Sequence, residues 1–239
     1  MYFLVLLGCT KPVFLLDRSS VSKVDSSFAE EIQNPIRPCK EKLRISGFDR
    51  WNSTFMRWLT PLQTNKGSFV ATIDSVTGEH QLELHANHTF GYDGSVNSWK
   101  NKSTGSVSSS MERIYIESLL LYLQLPLMIG DGKQQTILPS EIIRDKTYHR
   151  MFFMLEEGDT DDPQKDHYVG YWNTETNLLK YMLFTYRDLY ASYKGTLFFS
   201  DYQEMLGIRY PTSIAIQNSI TSAKDVHRIH VKKLQCVSN

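Results

Sequence analysis

Gly67-Ser-Phe-Val-Ala-Thr-Ile-Asp74, His80-Gln-Leu-Glu-Leu-His85 and Thr89-Phe-Gly-Tyr-Asp-Gly94 follow each other closely in the first half of the chain. In the second of these segments Leu82 and Leu84 alternate with polar neighbours. Successive side chains of an extended chain point to opposite sides, so this period of two marks a half-buried strand. Gly78 sets a turn after the first segment, and Asp93-Gly94 is a strong hairpin signal. The chain then returns through Val96–Trp99. Together these residues predict a meander of antiparallel strands.

The pattern continues downstream. Tyr148–Leu155, His167–Trp172, Leu178–Tyr186, Thr196–Tyr202, Arg209–Ile216 and Val226–Leu234 all read as strands. Asn173–Asn177 is a turn between two of them, and Gly158–Pro163 is an acidic loop. Twelve Phe, thirteen Tyr and four Trp suit pleated surfaces that carry large side chains. Nine or more strands at this spacing predict an antiparallel sheet or barrel. Between the two groups lies one clear helix. Ser109 and Glu112 have capping-box spacing, and the run Met111–Leu125 ends at Pro126. Its second half is apolar nearly all round, which predicts burial on more than one side. A shorter helix is expected from about Phe28, with Ser27 and Glu30 as its capping box and Pro35 as its stop.

A length of 239 residues fits one large domain or two small ones. Lys and Arg number 26, as do Asp and Glu, so the net charge gives no pull toward nucleic acid or an anionic membrane. No run approaches the roughly 20 apolar residues that span a bilayer. The only linker candidate is N-terminal. Residues 1–27 read as a signal remnant and a Ser-rich tether (Asp17–Ser27), and 28–239 as a single domain.

Leu6-Leu7-Gly8-Cys9 resembles a bacterial lipoprotein signal box, in which cleavage precedes the cysteine and the cysteine is acylated. The apolar run before Cys9 is short and no basic residue precedes it, and a start codon further upstream would account for both. The alternative is a buried first strand, Tyr2–Leu7, with Cys9 as a small core hydrophobe. Of the other two cysteines, Cys39 and Cys236 can pair only if the fold brings their Cα atoms within bonding range. Sequons at Asn52, Asn87 and Asn101 matter only in a eukaryotic secretory pathway.

No catalytic motif is present. There is no GxSxG, Walker loop or GxGxxG. His80, His85 and His88 cluster in sequence, yet the odd spacing of the last two puts them on opposite faces, and no CxxC or HExxH accompanies them. His227 and His230 meet the same objection. The loop with Asp159, Asp161, Asp162 and Asp166 lacks EF-hand spacing. No metal or cofactor is expected. A paired-carboxylate hydrolase leaves no short signature and stays open as a third reading.

Four segments carry a family resemblance: Phe48-Asp-Arg-Trp-Asn52; Phe90-Gly-Tyr-Asp-Gly94 followed by Trp99; Lys146-Thr-Tyr-His149 with Tyr171-Trp-Asn-Thr-Glu-Thr176; and Gly207-Ile-Arg-Tyr-Pro211. In this order they resemble the uncharacterised, DUF6503-like lipoproteins of Bacteroidetes-type bacteria, which are similar to the LolA/LolB/LppX half-barrels that carry lipoproteins or bind lipid. Asn173-Thr stands where that family usually has Asp-Pro. The resemblance implies an α+β fold: a curved antiparallel sheet forming an unclosed barrel, with helices packed on its concave face. It also implies a dry space for acyl chains, with Phe152, Met154, Trp172, Met182, Phe184 and Phe198 as candidate lining. The expected function is that of a periplasm-facing lipoprotein of the bacterial envelope. It would be anchored in the membrane through Cys9 and would bind a lipid or another apolar ligand. The rival is a structural or assembly lipoprotein that docks another envelope protein.

Overall fold

In a computed structural model of the chain, the described residues are 15–16, 28, 37–52, 66–74, 77, 79–84, 88–93, 98–102, 104–187, 193–222 and 224–238. Cys9, the tether, the capping pair Ser27 and Glu30, His85, Asn87 and Gly94 lie outside them. Phe28 is helical and buried.

The strands are β1 (Lys42–Trp51), β2 (Lys66–Asp74), β3 (His80–Leu84), β4 (His88–Asp93), β5 (Ser98–Asn101), β6 (Thr136–Ile143), β7 (Lys146–Phe153), β8 (Tyr168–Asn173), β9 (Leu179–Thr185), β10 (Lys194–Met205), β11 (Ile208–Gln217) and β12 (Asp225–Val237). Helix α1 (Ser110–Met128) and a 3-10 turn (Ile129–Asp131) stand between β5 and β6. The spatial order is β5-β4-β3-β2-β1-β12-β11-β10-β9-β8-β7-β6. Two meanders, β1–β5 and β6–β12, are therefore joined where β1 pairs antiparallel with β12. Strands β5 and β6 are both edges, so the sheet is an unclosed half-barrel, as the family resemblance implies, with one long helix against its concave face among the described residues. Residues of α1 meet β1, β9 and β11.

Two strands escape the sequence reading. The central strand β1 begins at Lys42, ahead of the segment Phe48–Asn52 that carries the family resemblance. Its inward positions are Leu43, Ile45, Gly47 and Asp49, so its apolar alternation fades halfway. The edge strand β6 is interrupted at Pro139, where its register with β7 shifts, as edge strands permit. It turns into β7 through Arg144-Asp145, both at positive φ (48° and 62°), without the glycine that announces such turns.

The Ser109–Glu112 capping box forms as predicted: Ser109 N–H donates to Glu112 Oε2 (2.8 Å), and Glu112 N–H to Ser109 Oγ (3.3 Å). Pro126, however, does not end α1. The proline takes one N–H donor from the helix, and burial of Leu125, Leu127 and Ile129 holds the last turn in the core. By length and composition Glu112–Asp131 would pass as a membrane span, yet half of it is buried inside the domain.

Cys39 and Cys236 are joined, with Cα atoms 5.3 Å apart. The bond fastens the segment before β1 to the end of β12, beside the β1–β12 seam.

The sheet is apolar on both faces over β6–β10. The concave face belongs to the main core with α1. The other face carries a second cluster built on Leu138, Tyr148, Phe152, Met154, Tyr171 and Tyr181, against which Leu15 and Leu16 pack. Leu15 N–H donates to Nδ1 of the buried His167 (3.4 Å). Burial pushes His167 down to about 4; Arg187 adds to the shift, and Asp161 and Asp162 oppose it. The folded state therefore binds fewer protons than the unfolded chain between that value and the ordinary one near 6.5. Stability is expected to be complete above about pH 6.5 and to fall as pH drops toward 4. Denaturant midpoints of wild type and His167→Gln across that window check this, since the slope should flatten in the variant.

Candidate functional site

The concave floor and α1 together form the candidate site. Helix α1 packs its apolar stripe downward: Ile116, Leu119, Leu120 and Leu123 are buried against the sheet. Its opposite side, with Glu117, Leu121 and Gln124, is only half-buried. Three tyrosines fasten the helix to the floor. Tyr115 on α1 donates to Asp49 Oδ2 (2.5 Å), Tyr210 on β11 donates to the Leu123 carbonyl (2.6 Å), and Tyr186 after β9 donates to the Ile114 carbonyl (3.4 Å). Burial raises the pKa of Tyr115 and Tyr210, and the Asp49 charge raises Tyr115 further. At neutral pH both are hydrogen-bond donors, not acids or bases.

The six candidate lining residues do not share a face. Trp172, Met182 and Phe184 lie in the core between sheet and helix. Phe152, Met154 and Phe198 belong to the cluster on the other side. Of the first three, Phe184 meets α1, its ring centroid 5.3 Å from that of Tyr122, and Trp172 meets Phe28 at 5.5 Å. Two of these rings lie against glycines. A Cβ on Gly170 would fall 2.3 Å from the Trp172 ring, and one on Gly195 would fall 2.5 Å from the Phe184 ring. Gly195→Ala is expected to cost about 1–3 kcal/mol, since the buried Phe184 ring has no free direction in which to move. Chemical denaturation checks this, with Lys194→Ala at the exposed neighbour as the control.

Two clefts flank α1. One, of about 240 Å³, is walled by Leu43, Ile73, Asp74, His80, Leu127 and Met128. The other, of about 250 Å³, lies between Glu117 and Leu121 of α1 and Leu155, Glu156, Tyr168 and Tyr186. Each is slightly below the roughly 300 Å³ at which small-molecule pockets begin.

Under the N-terminal half of α1 the apolar floor carries a polar cluster that the sequence reading missed. Asp49, fully buried on β1, accepts on Oδ2 from Trp51 Nε1 (3.2 Å) and Tyr115 OH, with His227 Nε2 at 3.2 Å. The Trp51 and His227 rings stack face to face, with centroids 4.0 Å apart. Asp49 Oδ1 is buried without a partner. A carboxylate at an inward strand position was the available signal, but it is visible only once β1 is known to be a strand.

His80 lines the first cleft, with a buried Nδ1 that finds no partner. In the acidic loop Asp162 caps the Gln164 N–H, and Asp166 accepts from Thr185 Oγ1 and Arg187 N–H. Among the described residues no group of three His, Cys, Asp or Glu side chains could hold a metal ion. Large exposed apolar side chains there are scattered, the most open being Ile142 on edge strand β6.

No family model matches the chain. No curated protein matches it either. Solved structures similar to it include a LolA superfamily protein from Nitrosomonas europaea (11% identity, 91% of this chain and 96% of that one, TM-score 0.46). A putative outer membrane lipoprotein-sorting protein domain from Vibrio parahaemolyticus is another (13% identity, 87% and 90%, TM-score 0.43). A DUF1329 family protein from Desulfovibrio piger is a third (10% identity, 88% and 90%, TM-score 0.45).

Proposed function

We propose that this protein is a non-catalytic binding protein of the bacterial envelope that holds an acyl chain or similar apolar ligand between α1 and the concave sheet. It is anchored through an acylated Cys9, as in the lipoproteins that its motifs resemble. The observation that carries the reading is how α1 is attached. The helix rests on an aromatic and aliphatic floor, is pinned by three tyrosine hydrogen bonds, and is bordered by a cleft on each flank. Displacing α1 breaks its tyrosine bonds and no sheet hydrogen bond. An acyl chain entering there gains about 0.8 kcal/mol per buried methylene, which offsets the lost helix contacts. The Cys39–Cys236 bond supports an oxidising compartment such as the periplasm.

Native mass spectrometry of gently purified protein tests the reading. The expected result is a population carrying an extra mass that organic extraction identifies as an amphiphile, reduced when Met182 is replaced by a residue that fills the floor, as in Met182→Trp. Bare protein throughout, with no uptake of added fatty acid or phospholipid, would contradict it.

A further inference from the structure

The convex side of the sheet carries a feature that the neutral net charge conceals. Lys66 on β2, Arg50 on β1 and Arg228 on β12 are direct cross-strand neighbours and form one row across three strands. Neighbouring strands lie about 4.8 Å apart, so three cations stand within about 10 Å. Like charges placed opposite each other destabilise a sheet. Arg228 also reaches Asp225. One step along the strands, Phe48 stacks on His230 with centroids 4.7 Å apart. The ammonium groups of Lys66 and Lys232 stand 4.1 and 5.3 Å from the Phe48 ring centroid. Lys233 follows, and Lys66, Arg50, Lys232 and Lys233 are all exposed. Nearby, Asp201 is the acid that opposes this field at His230. Burial lowers the His230 pKa, and Arg228, Lys66 and Arg50 lower it further.

We infer that the convex face of β2, β1 and β12, centred on Phe48 and bearing Lys66, Arg50, Lys232 and Lys233, docks on an anionic phospholipid bilayer. Charge complementarity selects an anionic partner. The cations are spread over an open sheet face around a flat aromatic ring, not gathered round a pocket. That spacing meets several headgroup phosphates at once instead of a single bound anion. Each cation near an anionic membrane surface strengthens binding about fivefold, and salt screens the effect. The docking does not depend on whether the concave side holds a ligand.

Co-sedimentation with vesicles of about one-third phosphatidylglycerol in phosphatidylcholine, at about 50 mM and about 300 mM salt, tests this directly. The full chain is expected to bind at low salt, to release at high salt, and to ignore pure phosphatidylcholine. Lys66→Glu, Lys232→Glu and Lys233→Glu together should weaken binding by about a hundredfold or more. The same charge change at the exposed residues Lys133, Lys146 and Lys194, away from this face, should weaken it only a fewfold. A Gln triple at the same three docking positions gives a milder set should the Glu triple lower the melting temperature, and it too should lose most binding. Equal binding by the docking and control triples would overturn the proposal, as would absence of binding to anionic vesicles. Retention on polyglutamate without vesicle binding would overturn it in favour of an acidic protein partner.

Discussion

Asp49→Ala is expected to lower the unfolding free energy by about 3–5 kcal/mol. The side chain is fully buried at the seam between the two meanders. Its Oδ2 serves Trp51, Tyr115 and His227. Truncation leaves these polar groups in the core without that acceptor, and each unmet group costs about 1–3 kcal/mol. Tyr115→Phe removes a single donor and should cost only about 1–2 kcal/mol. A double-mutant cycle separates the pair from its surroundings. Asp49→Ala should cost less when combined with Tyr115→Phe, because one orphaned hydroxyl is then gone. Additive losses would mean that the Asp49–Tyr115 bond does not fasten α1 to β1.

Loss of the Cys39–Cys236 bond is expected to cost about 2–5 kcal/mol and to lower the melting temperature by about 5–15 °C. The two cysteines are separated by 197 positions, so the bond closes nearly the whole described chain into one loop and strongly restricts the unfolded state. It also protects the seam where the first and last strands meet, the one pairing that holds the two meanders together. Thermal melts with and without reductant, and of the double Ser variant, should agree. If reduction leaves the melting temperature unchanged, the bond does not form in the protein as made.

What was legible in the chain followed from local chemistry. The capping box and the apolar run of α1 stand in one continuous segment, and β2–β5 and β7–β12 show through alternation and turn residues. β1 was hidden because Gly47 and Asp49 occupy inward positions, and β6 because Pro139 and the Arg144-Asp145 turn disguise an edge hairpin. The split of the six apolar candidates was unreadable for a related reason. β7–β9 are apolar on both faces, as Met151 and Phe153 opposite Phe152 and Met154 show, so alternation cannot say which parity faces the helix. A bulge between Tyr171 and Trp172 shifts the register further. The Asp49–His227 contact spans 178 positions and exists only through the pairing of β1 with β12. The basic face is assembled from three strands likewise, so a neutral total gave no sign of it.

The central claim is that the space between α1 and the concave sheet admits an acyl chain. Tryptophan quenching by a bromine-labelled fatty acid tests it most directly, because Trp172 belongs to the core on the concave side and bromine quenches only at contact. Saturable quenching is expected in the wild-type protein and should diminish in Trp172→Phe, leaving the share of Trp51 and Trp99, which face the same core. Fluorescence unaffected by the labelled acid, or quenching that persists undiminished in Trp172→Phe, would contradict it.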